Sequence, residues 1–202
     1  MTSASEPKKN RKQQILETLA FMLEDNPGDR ISIAALAKSV GVSEAALYRH
    51  FPSKTKMLEG LIEFAEEAVL SRASSIASDN LSALEKIERM TLVYLVFCER
   101  NPGITRLLTG DAISGERDRL HARVRQFFDR LGTEMRQVLR KSELEDGLRL
   151  TLSIHDTVAL AQACAEGRVA AFVRNQFKLQ PSANWQTTWQ CLQSGLVNTS
   201  AL

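Results

Sequence analysis

The sequence predicts an all-α protein of about nine helices, and three observations lead to that class. Glycine and proline are sparse, at 10 and 5 of 202 residues, so few positions break a helix. Apolar residues recur at helical spacing through the long stretches between these breakers. No segment has the pattern of a credible strand. With 44% hydrophobic residues, the chain can bury a sizeable core.

Capping residues and helix breakers bound the first four predicted helices. The first covers about 11–24, and an Asn-Pro-Gly-Asp sequence at 26–29 ends it. A serine that can cap a helix N-terminus precedes each of the next three helices: Ser32, Ser43 and Ser53. We therefore expect these helices at about 33–40, 44–51 and 54–77.

The same signals predict five more helices. Ser82 and Glu85 fit a capping box, and the Asn-Pro-Gly sequence at 101–103 ends the helix that begins there. Amphipathic spacing then predicts the remaining four helices at about 105–108, 116–141, 153–177 and 182–196.

Composition argues against a membrane protein, a secreted protein and an enzyme. No apolar run approaches the ~20 residues of a membrane span, and the polar N-terminus does not resemble a signal peptide. We expect three buried, reduced cysteines in a cytoplasmic protein: Cys98, Cys164 and Cys191. Three histidines belong to no metal or catalytic-triad pattern: His50, His121 and His155. We expect no enzyme activity, metal or cofactor.

Positive charge is concentrated near the N-terminus. Residues 1–56 contain nine Lys and Arg against six Asp and Glu, and the segment 8–12 holds four of these basic residues. Residues 1–8 are expected to form a disordered basic arm, which would neutralise DNA phosphates without reading sequence. A solubilising tail is the alternative.

Residues 31–51 have the pattern of a helix-turn-helix, in which a tight turn joins a short helix to a second helix. Gly41 suits the turn because glycine adopts positive φ at little cost. Val42, Leu47 and Phe51 are expected to fasten the second helix to the core. Its other side chains remain for solvent or DNA: Ser43, Glu44, Ala45, Tyr48, Arg49 and His50. An ordinary pair of helices is the alternative.

The stretch AALYRHFPSK at 45–54 resembles the signature of TetR-family transcriptional regulators. The resemblance implies a DNA-binding domain at 9–53 and a helical regulatory and dimerisation domain at 54–202. Together with helix geometry, it implies that Ser43, Glu44 and Ala45 point toward base edges, with Arg49 on the same helix. The residues expected to contact phosphates are Arg11, Ser32, Tyr48, His50 and Lys54.

A narrower resemblance is to the nucleoid occlusion factors within that family. The similar segments are 10–11, 14–16, 22–24, 42–55, 60–64, 99–103, 106–110, 136–140 and 174–178. The resemblance implies a nucleoid-associated protein that binds chromosomal DNA and inhibits assembly of the division protein FtsZ. It further implies that the FtsZ C-terminal tail binds a groove lined by Phe64, Arg72, Val93, Val96, Arg100 and Asn101.

Several features leave that assignment open. Phe64 is also explained as a core residue, and Arg100 as a cation suited to a helix C-terminus. Val96 stands where the pattern has glycine, which would narrow the groove. The competing function is a ligand-released repressor with an apolar cavity. The residues that would line this cavity are Tyr94, Cys98, His121 and Cys164.

The last two helices resemble the dimer interface of the TetR family. An apolar stripe rich in small residues is expected to pack across a two-fold axis, so that the homodimer reads a palindromic DNA site. The predicted interface residues are Ala161, Ala165, Val169, Phe172, Trp185 and Trp189. The core of a monomer would give the same stripe.

Overall fold

The computed structural model describes residues 10–25, 31–113 and 118–197, and within them the chain forms α-helices joined by short connections. The helices are α1 Arg11–Asp25, α2 Ile33–Val40, α3 Glu44–His50, α4 Lys54–Ser78, α5 Ala83–Arg100, α6 Pro102–Leu108, α7 Asp118–Glu145, α8 Ile154–Arg174 and α9 Trp185–Leu196. A 3₁₀ helix spans Asp111–Ile113, and one antiparallel bridge joins Leu150 to Val197. The predicted all-α class is confirmed. The basic arm at 1–8 and the breaker at 26–29 lie outside the described residues.

Several helix boundaries differ from those predicted, including the end of α7, which lies at Glu145 instead of near 141. α6 begins at Pro102 instead of near 105, because proline is well suited to the first turn of a helix. α8 ends at Arg174, short of the predicted 177, since Gln176 and Phe177 both adopt positive φ. Asn184 also has positive φ, and α9 begins only after it.

The turn between α2 and α3 has the geometry that the sequence predicts. Gly41 lies in the left-handed region, with φ of 77°. The Val42 amide donates to the carbonyl of Ala37 over 3.0 Å, and the Gly41 amide donates to Lys38. These bonds satisfy the last carbonyls of α2 in the manner of a Schellman motif. The turn therefore fixes how α3 leaves α2.

α1 packs directly on α6, which joins the N-terminal helices to the rest of the chain. A Cβ added at Gly103 would lie 1.9 Å from the carbonyl oxygen of Ala20, so only glycine fits this crossing. The buried guanidinium of Arg106 donates to the Leu23 carbonyl over 2.6 Å and pairs with Asp111. α6 thereby holds the end of α1.

Two nearly buried carboxylates of α4 pair with arginines of α7. Glu59 pairs with Lys56 at 2.7 Å and with Arg119. Burial raises the pKa of Glu59, but the hydrogen bond from Lys56 and the charge of Arg119 outweigh it and hold that pKa below its usual value. About two turns further along, Glu66 pairs with two more arginines of α7, Arg123 and Arg130. These pairs align α7 along α4.

The three cysteines differ in exposure, and only Cys98 is buried as predicted. Cys98 is buried, which raises the pKa of its thiol to about 12, and Cys164 is half-buried. Cys191 is exposed, contrary to the prediction, because it lies on the outer face of α9. All three are free thiols. Within the described residues, no helix combines the length and apolar character that a bilayer crossing requires.

The apolar stripes of α8 and α9 face the interior of the protomer. All six residues predicted for the dimer interface are at most 2% exposed in the single chain: Ala161, Ala165, Val169, Phe172, Trp185 and Trp189. α8 contacts α5 and α7, α9 contacts α5, and Trp185 Nε1 donates to the Glu88 carbonyl of α5. These side chains belong to the core, so they cannot themselves form a surface between protomers.

Candidate nucleic-acid interface and interhelical groove

α3 presents a solvent-exposed face that contains the residues expected to read bases. Ser43, Glu44 and Ala45 are exposed at its N-terminal end, and Tyr48 is 43% exposed one turn later. Leu47 is fully buried and anchors the opposite face of the helix. Leu47 therefore anchors α3 to the core, and the exposed residues form one continuous outer face on the opposite side.

Ser32 and Ser43 are helix caps that keep a donor for a ligand. The hydroxyl oxygen of Ser32 accepts the Ala35 amide at 3.1 Å, and that of Ser43 accepts the Ala46 amide at 3.2 Å. Both hydroxyls are exposed, and capping occupies only an acceptor position. Each O–H proton can therefore be donated to a phosphate oxygen.

Basic side chains surround this face. Arg49 and His50 end α3, Lys54 begins α4, and Arg11 at the start of α1 donates to Gln14 over 2.7 Å. Lys12 belongs to the basic segment at 8–12, and its ammonium lies 5.9 Å from the centre of the Phe51 ring. Sequence reasoning missed the exposed Lys38 in the last turn of α2. Its position within the helix-turn-helix was the available signal.

A groove of about 630 Å³ runs between α4 and α5, and all six residues predicted for the tail site line it. Phe64 is 50% exposed, and its ring centre lies 6.1 Å from that of Phe97 on the groove wall. Phe64 is therefore a surface aromatic, and its alternative assignment to the core is wrong. The groove also contains residues that were not predicted: Ala68, Ser75, Ile76, Asp79, Arg89, Leu92 and Phe97.

The groove has an apolar centre and arginines toward both ends. Val93 and Val96 line the centre, and Arg100 lies at the end where α5 stops. Arg72 and Arg89 line the other part of the groove, and all three arginines are exposed. Within the described ranges, none of the three takes part in an ion pair at 4.0 Å or less. Such a groove suits a peptide with apolar residues and carboxylates.

Asn101 fixes the end of the groove through its side-chain amide. Its Nδ2 donates to the carbonyl of Phe97 over 2.8 Å, one turn back on α5. This bond satisfies a terminal carbonyl and holds Asn101 beside Arg100. The Asn-Pro-Gly sequence thus has three roles: it ends α5, starts α6 and supplies a groove residue.

Within the described part of the chain, little space remains beside Tyr94, one of the four residues expected to line the cavity of a ligand-released repressor. Tyr94 lines an internal space of about 10 Å³ together with Phe128, Met135 and Gln162. A site of this size holds at most one water molecule. Packing of the Tyr94 ring against Phe127 and Phe128, at 6.1 and 5.6 Å between ring centres, accounts for the lack of space.

An all-α chain in which a helix-turn-helix is locked by α6 to a larger helical bundle has the architecture of a DNA-binding regulator of the TetR class. Residues 15–61 match the family described as bacterial regulatory proteins, tetR family. Residues 81–197 match the tetracyclin repressor-like C-terminal domain. The chain is 47% identical over 196 residues to the nucleoid occlusion factor SlmA of Shewanella pealeana, a match that covers 97% of this chain and 100% of the relative. The chain belongs to the SlmA family of nucleoid occlusion factors.

Another relative agrees with this assignment, and solved structures share the fold. Identity to SlmA of Shewanella woodyi is 46%, with the same coverage of 97% and 100%. The structure of FadR from Bacillus subtilis in complex with stearoyl-CoA is similar, with a TM-score of 0.78 and 15% identity, covering 90% of this chain and 97% of that one. PfmR from Thermus thermophilus gives a TM-score of 0.74 at 17% identity, covering 98% and 100%. Likeness at this level of identity concerns the fold alone.

Proposed function

We propose that this protein binds chromosomal DNA and captures the C-terminal tail of FtsZ in the α4–α5 groove, which inhibits FtsZ assembly over the nucleoid. The observation that carries the proposal is the groove itself, with an apolar centre and exposed arginines toward both ends. An extended acidic tail with apolar residues would pack on Phe64 and Val93 while Arg72 and Arg100 bond its carboxylates. Residues 9–53 would serve as the DNA-binding domain and 54–202 as the regulatory domain, in a nucleoid-associated cytoplasmic protein.

We also propose that the acting unit is a homodimer on a palindromic DNA site. Since the predicted stripe is buried, the interface would use the outer faces of the same two helices. α8 exposes Leu160, Ala163 and Gly167 at helical spacing, and all three are small or apolar. α9 exposes Thr187, Gln190, Cys191 and Ser194, none of which carries a charge. Asp156, Glu166 and Arg174 are exposed on α8 as well, so the uncharged part of its outer face is the series Leu160, Ala163 and Gly167. Small and uncharged residues on both helices support close packing across a two-fold axis.

The test is FtsZ polymerisation, followed by light scattering and sedimentation with and without a saturating DNA site. Wild-type protein is expected to inhibit assembly, and Arg72→Asp to abolish inhibition with DNA affinity retained. Reversing this charge replaces attraction by repulsion, and loss of a desolvated charge pair costs about 2–5 kcal/mol. That corresponds to a factor of roughly 30 to several thousand in affinity. If wild-type protein saturated with DNA leaves FtsZ polymers unchanged, the proposal is wrong.

Arg125→Asp is the matched control, because Arg125 is an exposed arginine on α7, outside the lining of the groove. It undergoes the same change of charge and should inhibit like wild type. A ligand-released repressor would instead leave DNA when a small molecule binds. The internal space of about 10 Å³ gives that alternative no support.

A further inference from the structure

The groove contains an arginine, Arg89, that belongs to none of the sets assigned from sequence. It lies on the groove face of α5, in the helical series Arg89, Leu92, Val93, Val96, Phe97 and Arg100. Arg89 and Arg100 are the two ends of this series, and each helical turn between them contributes two hydrophobic residues. The facing series on α4 is Phe64, Ala68, Arg72, Ser75, Ile76 and Asp79.

The register of the two helices brings Arg89 level with Arg72. α4 and α5 pack together and are joined by a short connection, so they run antiparallel. The contact between the Phe64 and Phe97 rings then sets the register, because it joins the first half of α4 to the end of α5. Arg72 is eight residues after Phe64, and Arg89 is eight residues before Phe97. Eight helical residues span about 12 Å, so both arginines lie at the same distance from the ring pair, on opposite walls.

Within the groove lining the two arginines outnumber the carboxylates, and on its own helix Arg89 also stabilises the charged forms of Glu85 and Glu88. Asp79 is a carboxylate that lines the same end of the groove, and it makes no ion pair at 4.0 Å or less within the described part of the chain. Glu85 lies one turn before Arg89, where its carboxylate accepts the amide and hydroxyl of Ser82 in the capping box. Glu88 is half-buried and does not line the groove, and its backbone carbonyl accepts the hydrogen bond from Trp185. Two exposed guanidinium groups therefore face one carboxylate in the groove.

We infer that Arg72 and Arg89 form a second anion subsite, which selects a partner tail carrying an acidic residue in addition to the one held at Arg100. This inference rests on the proposed function and adds to its specificity. Arg100 lies three residues beyond Phe97, so about 17 Å along the groove separates it from the arginine pair. An extended peptide advances about 3.3 Å per residue, which puts the two acidic residues about five positions apart. A helical occupant would require a separation of about 11.

Double-mutant cycles between groove and tail test the subsite. The probe is a labelled peptide copying the FtsZ tail of the same organism, with each Asp or Glu changed in turn to its amide. Binding to full-length protein on its DNA site is measured by fluorescence anisotropy for wild type and for Arg89→Gln, Arg72→Gln and Arg100→Gln. Lys86→Gln is the matched control, because it removes one positive charge from the same helix and lines a different cavity.

Arg89→Gln is expected to weaken binding of the unmodified tail about three- to tenfold, as for a charge pair at the rim of an interface. For one amide-substituted peptide, Arg89→Gln should cause no further loss of affinity. The effect of Arg72→Gln should depend on that same peptide position. Arg100→Gln should couple to a different acidic residue four to six positions away. Lys86→Gln should bind like wild type.

Two results would overturn the subsite without touching the proposed function. In the first, the tail binds wild type and Arg89→Gln equally. In the second, Arg89 and Arg100 couple to one and the same carboxylate. If wild-type protein does not bind the tail at all, the proposed function fails, and the subsite fails with it.

Discussion

Lys54 belongs both to the proposed DNA surface and to the regulatory helices. It is the first residue of α4 and directly follows the cap Ser53. If it contacts a phosphate, Lys54→Ala should weaken binding to all DNA sequences alike. The magnitude of the slope of log K against log salt should fall by about 1 per protomer. Fluorescence anisotropy over a salt series measures both quantities.

Lys141→Ala is the control for this experiment, because Lys141 is exposed near the end of α7 and pairs with Glu145 at 3.7 Å. It should leave both affinity and slope unchanged. An unchanged slope for Lys54→Ala, accompanied by a new sequence preference, would contradict the phosphate assignment.

Single residues also show where sequence reasoning reached its limit. Phe64, Arg72 and Arg100 were expected in one groove, and the structure brings them together. Arg89 was missed because an exposed arginine on an amphipathic helix is usually a solvated surface residue. Its significance depends on Arg72, which lies on another helix. Helical spacing within α5 alone does not reveal which residues face α4.

At the scale of elements, the crossing of α1 and α6 depends on one glycine. In Gly103→Ala the new methyl group would meet the Ala20 carbonyl, a backbone atom that cannot move unless α1 moves. We expect a loss of stability of about 1–3 kcal/mol, measured by urea denaturation, as for an overpacked core position. DNA affinity should fall as well, because α1 supports the helix-turn-helix.

Gly195→Ala provides the comparison, since a Cβ there would meet nothing within 4 Å. Alanine is a better helix former, so this variant should be as stable as wild type or more stable by about 0.5–1 kcal/mol. Equal stability of the two variants would show that the α1–α6 crossing tolerates a side chain.

The bounds of the helices were largely predictable from sequence, but what their apolar faces pack against was not. Serine caps, the glycine turn and the capping box are local signals, so the bounds of α2, α3 and α5 follow from a few neighbouring residues. The stripes of α8 and α9 were attributed to a dimer interface and proved to be core. A stripe with helical period indicates burial, but it does not distinguish burial within a protomer from burial between two.

At the scale of the whole molecule, the outer faces of α8 and α9 should determine the oligomeric state. Gly167→Glu adds a charge at an exposed position where a Cβ meets nothing, so the protomer should remain folded. An unpaired charge in the interface should dissociate the dimer, which sedimentation velocity and circular dichroism would show together. Thr133→Glu adds the same charge to the exposed side of α7 and should remain dimeric. A folded dimer of Gly167→Glu would place the interface elsewhere.

The pairing of α4 with α7 should make the stability of the molecule sensitive to acid. The pKa of Glu59 is depressed in the folded chain, so its contribution is complete above the ordinary carboxyl pKa near 4.5 and is lost as pH falls through the folded value. Glu59→Gln should therefore lose about 1–3 kcal/mol at pH 7 and lose less than wild type as the pH falls below 4.5. Urea denaturation at several pH values measures this difference.

Glu67→Gln is the matched variant, since Glu67 is exposed on the same helix. It should follow the wild-type stability curve at every pH. If Glu59→Gln also followed that curve, the ion pairs with α7 would contribute nothing net to stability.

α4 carries residues of both proposed surfaces, so positions along this helix set the distance between the bound DNA and the bound tail. Phe64 lies ten residues from Lys54, and Arg72 lies eighteen, which correspond to about 15 and 27 Å along the helix. The Debye length is about 8 Å in 0.15 M salt and about 30 Å in 0.01 M salt. At physiological salt, a tail in the groove would thus be screened from the DNA phosphates, and DNA and tail would bind without mutual repulsion. In dilute buffer the two ligands would compete through their charges although they never touch.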